Sequence, residues 1–145
     1  MNKNLTTIKY GLETHSKFYM DVPKGYDYKA MEVTVEKEQR YIYTDSSFIY
    51  ISSFKYTPNS ENIENLGDSI YQYRFQNKEL TKETNKLVGK DVIKLLPNIF
   101  ELSGKDGNSL FWKDIYMEEV SIGYKNVPKE KKEVFDNYLR TFRKK

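Results

Sequence analysis

The amino-acid sequence predicts a single α+β domain, with a largely antiparallel sheet flanked by helices and a C-terminal helix packed on the sheet. Several short segments alternate apolar and polar residues between turn-forming residues, which is typical of antiparallel strands. Apolar residues also recur at three- and four-residue spacing in mid-chain and near the end, which indicates amphipathic helices. Because 145 residues is the usual size of one domain, we assign the whole chain, 1–145, to one domain.

The first half of the chain predicts a leader followed by strands. Residues 1–8 include the polar run NKNLTT, and we expect them to form a flexible leader. Strands are predicted at residues 17–22, 31–36, 40–44 and 48–54. In residues 31–36 the apolar side chains alternate with Glu and Thr, so one face of that strand is expected to be solvated. The last three strands form an antiparallel meander, with a turn at residues 45–47.

The second half of the chain predicts helices and then a second group of strands. Helices are predicted at residues 57–69 and 78–88, with a strand at residues 71–75 between them. Further strands are predicted at residues 98–102, 110–117 and 120–124. The Asp106-Gly107 pair is a strong signal for a hairpin turn. A closing helix begins at Pro128, and its apolar stripe consists of Val134, Phe135, Tyr138, Leu139 and Phe142.

The order of these elements resembles the PsbP-like α/β/α sandwich. An early meander, a helical middle, late strands and a final helix ending in LRTFRKK carry the resemblance, which covers most of the chain in outline. That group contains bacterial lipoproteins and protein-binding factors, many without known catalysis. The resemblance therefore implies a binding role, and it transfers no individual site residue.

Residues 40–56, RYIYTDSSFIYISSFKY, place bulky side chains at both odd and even positions. A strand covered on both faces has this pattern, because neither face is left to water. We interpret the segment as the centre of a sheet that lies between helices. The alternative is that one aromatic face is only partly covered and serves as a recognition surface.

Composition excludes several classes of protein. The chain has 31% charged and 15% aromatic residues, and its mean hydropathy is −0.79. No apolar run approaches the ~20 residues that cross a bilayer, so no membrane span is predicted. Nucleic-acid binding is also not predicted, because basic residues such as Lys82 and Lys86 alternate with acids such as Glu83 instead of forming a basic face.

The sequence contains no group of residues that identifies a reaction. The chain has no cysteine and one histidine, which is His15, so a zinc site would lack its usual ligands. Glu118 and Glu119 are adjacent and would face opposite sides of a strand, which is poor geometry for a pair of catalytic carboxylates. No phosphate-binding glycine motif is present. We therefore predict no catalytic residues, no metal and no cofactor.

Thirteen tyrosines are the most unusual feature of the composition. Tyrosine combines a large apolar ring with a polar end and is enriched at protein interfaces. The predicted binding residues are Tyr41, Tyr43, Tyr50, Tyr71 and Tyr73. Our leading hypothesis is a non-catalytic module that binds a protein partner. The alternatives are a carbohydrate-binding module that uses exposed Tyr and Trp112, and a glycan- or peptide-acting enzyme whose carboxylates are brought together by the fold.

The N-terminal residues leave two cellular locations open, since MNKNLTTIKYG lacks the apolar core of a signal peptide. Either the protein is cytoplasmic, or Met1 replaces a removed export or lipoprotein signal. We favour a small exported or lipoprotein-type bacterial protein, periplasmic or tethered to a membrane.

Overall fold

The computed structural model describes residues 4–12, 16–54, 56–60 and 99–144. In these ranges the chain forms nine strands and one α-helix. The strands are β1 (Leu5–Gly11), β2 (Lys17–Pro23), β3 (Asp27–Val33), β4 (Glu36–Ile42), β5 (Phe48–Ser52), β6 (Phe100–Lys105), β7 (Phe111–Tyr116), β8 (Ser121–Val127) and β9 (Arg143–Lys144). A 3₁₀ turn at Lys129–Lys131 leads into the helix α1 (Lys132–Leu139).

The strands form two sheets in which neighbouring strands are antiparallel. The smaller sheet has the order β1-β2-β9, and the larger has the order β3-β4-β5-β8-β7-β6. The larger sheet therefore joins the early meander β3-β4-β5 to the late strands through a pairing of β5 with β8. Among the strands that the structure describes, its two edges are β3 and β6.

The main core lies between the two sheets and α1. The larger sheet contributes Tyr41, Ile49, Ile51, Ile122 and Tyr124, and the smaller sheet contributes Ile8, Tyr10, Phe18, Met20 and Val22. Helix α1 adds Phe135 and Leu139. The Asp136 carboxylate fixes the helix to the larger sheet, because it accepts a hydrogen bond from the Tyr124 hydroxyl at 2.6 Å and pairs with Lys113 at 2.7 Å. The predicted packing of a C-terminal helix on the sheet is confirmed.

Every residue of β5 is buried, so the prediction that this strand is covered on both faces is confirmed. Ile49 and Ile51 point into the main core, whereas Tyr50 and Ser52 point to the opposite face. Antiparallel strands alternate their side chains in this way. The opposite face is more polar than the main core, and it carries the buried Ser121 and Asp114.

The fold contains more sheet than the sequence predicts. Over the described residues, one face of the larger sheet is covered by a second sheet together with one short helix, not by helices alone. The predicted flexible leader, 1–8, is wrong from residue 5 onward, because β1 pairs with β2 along its length and buries Ile8. The predicted helix at 78–88, the strand at 71–75 and residues 61–69 of the other helix lie outside the described residues.

The predicted strands at 17–22, 110–117 and 120–124 correspond to β2, β7 and β8. The prediction for residues 31–36 is wrong in two respects. A turn at Thr34 and Val35 interrupts the alternation, so that β3 ends at Val33 and β4 begins at Glu36. In addition, all seven residues of β3 are exposed, whereas one buried face was expected. β3 lies at the edge of the sheet, where the main core does not reach it.

Candidate functional site

A fully buried carboxylate, that of Asp114 on β7, organises the polar face of the larger sheet. Its oxygen Oδ1 accepts hydrogen bonds from the Tyr50 hydroxyl at 2.5 Å and from Asn59 Nδ2 at 2.8 Å. Its oxygen Oδ2 accepts hydrogen bonds from the Thr57 hydroxyl at 2.8 Å and from the Tyr116 hydroxyl at 2.7 Å. All four donors are buried as well. Four donors offset the cost of burying this group, because a buried polar group is tolerated when it is hydrogen-bonded.

A glycine on the intervening strand makes this arrangement possible. Tyr50, Gly123 and Asp114 lie side by side in one cross-strand row. A Cβ atom on Gly123 would lie 1.9 Å from the Lys113 carbonyl oxygen and 2.7 Å from Cε1 of the Tyr50 ring. The ring of Tyr50 therefore passes over β8 where no side chain obstructs it, and its hydroxyl reaches the carboxylate two strands away.

Asn59 attaches the segment 56–60 to the sheet. Its Nδ2 donates to Asp114 at 2.8 Å, to the Tyr124 carbonyl at 3.1 Å and to the Lys113 carbonyl at 3.3 Å. These partners are all acceptors, so the orientation of the side-chain amide is determined. Over the described ranges, Asn59 Oδ1 and the Ser121 hydroxyl are buried without a hydrogen-bond partner. The Asp114 centre thus joins β5, β7, β8 and segment 56–60.

The electrostatics of the Asp114 centre keep Tyr50 protonated. Burial, followed by the nearby charge of Asp114, raises the pKa of the Tyr50 hydroxyl far above its usual range. Tyr50 is consequently a permanent donor to the carboxylate. Because the carboxylate and its donors are buried and engaged with one another, the arrangement holds strands and a loop together.

A second buried acid, Glu38 on β4, lies on the same face and pairs with Arg40 at 2.6 Å. Strands β5 and β8 lie between Glu38 and Asp114 in the sheet. Three inter-strand spacings of about 4.8 Å separate β4 from β7, so the Cα atoms of the two acids are more than roughly 14 Å apart. Both carboxylates are already engaged, Glu38 by Arg40 and Asp114 by its four hydrogen-bond donors.

The other distinctive feature is the exposed edge strand β3. Tyr28, Met31 and Val33 are 53%, 44% and 61% exposed, and Val35 in the following turn is also exposed. Thr34 in that turn has φ of 55°, a strained value for a β-branched residue. The edge strand β1 of the smaller sheet differs, because it buries Ile8 and Tyr10 and exposes polar side chains such as Lys9.

The structure describes three of the five predicted binding tyrosines and places these three wholly or partly in the interior. Tyr41 and Tyr50 are buried, and their hydroxyls donate to Gln39 and Asp114, so neither ring offers a surface to a partner. Tyr43 is half-buried, packs against the main core and donates to the Pro23 carbonyl at 2.8 Å. Tyr71 and Tyr73, like His15, lie outside the described residues. Binding through these five residues stays a prediction.

Sequence reasoning missed both Asp114 and the apolar edge. Asp114 lies between Lys113 and Ile115, and this local pattern does not indicate that the Asp114 carboxylate is buried. Tyr28 and Met31 lie in the segment DYKAMEV, whose alternation suits a half-buried strand as well as an exposed one. Only the order of the strands in the sheet shows that β3 is an edge strand.

In the described part of the chain, no three His, Asp or Glu side chains come close enough to hold a metal ion. Among the same residues, no helix has the length and apolar character needed to cross a lipid bilayer.

Comparison with protein-family models, with curated proteins and with solved structures returned no match. The resemblance to the PsbP-like sandwich therefore stays a prediction.

Proposed function

We propose that this chain is a non-catalytic protein-binding module and that β3 is its contact surface. The observation that carries the proposal is the exposure of large apolar side chains along a regular strand at a sheet edge. Proteins commonly protect such edges with bulges, prolines or charged side chains, because an open edge pairs with other chains. β3 has no bulge in its register with β4 and no proline, and its charged residues Asp27, Lys29 and Glu32 leave the apolar Tyr28, Met31 and Val33 exposed between and beyond them.

An edge strand recognises a partner in two ways at once. Its free backbone N–H and C=O groups pair with an added strand, and its alternating side chains select the sequence of that strand. Tyr28 extends from one face of β3, whereas Met31 and Val33 extend from the other. Both faces of the edge therefore offer apolar contacts to an incoming strand.

β3 is also held in place before any partner arrives. All seven of its residues are in register with β4, and β4 in turn pairs with the wholly buried strand β5. A preformed edge loses little conformational freedom on binding, which favours affinity.

The competing functions find less support in the described residues. A carbohydrate-binding surface built on Trp112 would need an exposed ring, and Trp112 is buried beneath Gly104. An enzyme that uses paired carboxylates would need two acids available to a substrate, whereas the buried Glu38 pairs with Arg40 and the buried Asp114 accepts four hydrogen bonds.

Site-specific photo-crosslinking tests the proposed surface. A photoreactive phenylalanine derivative replaces either Tyr28 on β3 or Tyr56, an exposed tyrosine away from that strand, in the full chain expressed in a bacterial cell. We expect a discrete protein adduct from position 28 and none of that mass from position 56. Equal adducts from both positions, or no adduct from position 28, would contradict the assignment of β3.

A further inference from the structure

We infer that β3 pairs with β3 of a second copy of this chain, so that two six-stranded sheets join into one continuous antiparallel sheet. The inference rests on the proposed function and names the partner of the same surface. Most soluble homo-oligomers are closed and symmetric, and two-fold dimers are the commonest. In such a dimer the same strand is presented by both copies, so its sequence must complement itself.

Only one two-fold register pairs all seven residues of β3. It places Asp27 opposite Val33 of the second copy, and therefore Ala30 opposite Ala30. Ala30 is exposed, and its small side chain leaves room for close approach at the symmetry axis. The free edge of β3 thus has its smallest side chain where the two copies come nearest.

Each charged side chain of β3 faces an uncharged one in this register. Lys29 lies opposite Met31 of the second copy, and Glu32 lies opposite Tyr28, which sets a carboxylate against a hydroxyl donor. No two like charges are directly opposite. A two-residue shift toward the N-terminal end of the strand would place Lys29 opposite Lys29, and directly opposed like charges destabilise a strand pair. The sequence therefore favours the full seven-residue register over that shifted one.

The two sheet edges β1 and β3 differ in a way that fits this pairing. On β1 the exposed side chains, such as Lys9, are polar, and the apolar ones are turned into the core. On β3 the apolar side chains are left outside the core, on both faces of the strand. A second copy would cover them at the same time as it satisfies the free backbone groups of the edge.

Engineered cysteines test the register directly, because the chain has no cysteine of its own. In the proposed dimer the two Ala30 Cα atoms are directly opposite, at about 4.5 to 5.5 Å, which a disulfide can span. Ala30→Cys should therefore form a disulfide-linked dimer within minutes in oxidised glutathione. Glu32→Cys is the matched control on the same strand and face, and its two copies would be displaced by roughly 13 Å along the strand.

We expect Ala30→Cys to be cross-linked at least tenfold faster than Glu32→Cys. Equal rates would show random collision, and faster linkage through position 32 would show a different register; either result overturns the inference. Both positions are exposed, so neither change disturbs the core.

A charge exchange tests the same register without covalent chemistry. Met31→Lys places the introduced lysine directly opposite Lys29 of the second copy, and the two-fold symmetry repeats this contact. The variant should therefore form dimers at least tenfold more weakly, as measured by sedimentation velocity. Adding Lys29→Glu restores opposite charges at the same two positions and should restore the dimer. Failure of this rescue, or a wild-type chain that stays monomeric at millimolar concentration, would overturn the inference.

The two proposals fail in distinguishable ways. If position 28 captures a different protein while Ala30→Cys stays monomeric, β3 binds a partner that is not a second copy. If neither experiment detects a contact, the proposed function fails together with the inference.

Discussion

Replacing Gly123 by alanine tests how the buried Asp114 centre is built. The added Cβ would lie 1.9 Å from the Lys113 carbonyl oxygen and 2.7 Å from Cε1 of Tyr50. The first contact is with backbone on the neighbouring strand, so it cannot be relieved by a side-chain rotation. Either β7 and β8 separate locally, or the register changes, and in both cases the Tyr50 hydroxyl loses its position against Asp114.

The expected cost follows from these two effects. Overpacking a well-packed interior costs about 1 to 3 kcal/mol, and a hydrogen bond to a charged group contributes about 1.5 to 3 kcal/mol. We therefore expect Gly123→Ala to reduce the free energy of unfolding by roughly 2.5 to 6 kcal/mol. Because small domains are stable by only about 5 to 15 kcal/mol, this single methyl group should bring the protein close to unfolding.

Urea denaturation, followed by the fluorescence of the single tryptophan, Trp112, measures this cost. Gly11→Ala is the matched control, since Gly11 also lies in a strand and a Cβ there meets nothing within 4 Å. That control should leave stability unchanged or raise it by up to ~1 kcal/mol. Tyr50→Phe removes the hydroxyl alone and should cost about 1.5 to 3 kcal/mol. If Gly123→Ala were as stable as Gly11→Ala, the proposed path of the Tyr50 ring would be refuted.

Three further predictions concern stability. Burial opposes ionisation of Asp45, but hydrogen bonds from Lys131 and Ser47 outweigh it and lower the pKa of its carboxyl to about 2. Its stabilising effect should be present above the unfolded-state pKa of about 3.9 and lost as the pH falls through about 2. Asp45→Asn should therefore flatten the pH dependence of the melting temperature in that window, and an unchanged slope would contradict this. Deleting residues 128–145 removes Phe135 and Leu139 from the core, so cooperative unfolding should be lost; a cooperative transition in the truncated chain would show that α1 is dispensable. Because the sequence lacks the usual soft and imidazole ligands, chelators should leave the melting temperature unchanged, and a drop would reveal an oxygen-ligand metal site.

Local patterns predicted the parts of the fold that depend on neighbouring residues in the chain. The turn at residues 45–47 forms as expected, with Asp45 Oδ1 accepting a hydrogen bond from the Ser47 backbone N–H at 2.9 Å. The stripe of α1 also buries Phe135 and Leu139 as expected, whereas Val134, predicted to belong to the same stripe, is exposed. The helix nevertheless ends at Leu139, and Phe142 packs on the core from beyond it. These elements could be predicted from the sequence because the residues that determine them lie within a few positions of one another.

Other parts of the fold depend on which strands become neighbours. Tyr50 and Asp114 are separated by 64 residues, and their contact requires the pairing of β5 with β8. Likewise, the exposure of Met31 results from the position of β3 at the edge of the sheet. The sequence of β3 alone resembles that of a half-buried strand. Neither feature could be predicted without the order of the strands.

The central claim is that the open edge of β3 binds a protein. Its most direct test is the yield of the photo-crosslinked adduct from position 28, measured in two further variants. Met31 and Val134 are both 44% exposed, but Met31 lies on β3 and Val134 on α1. Met31→Lys should abolish the adduct, whereas Val134→Lys should leave its yield unchanged. An adduct that survives Met31→Lys, or is lost equally in both variants, would contradict the claim that β3 is the contact surface.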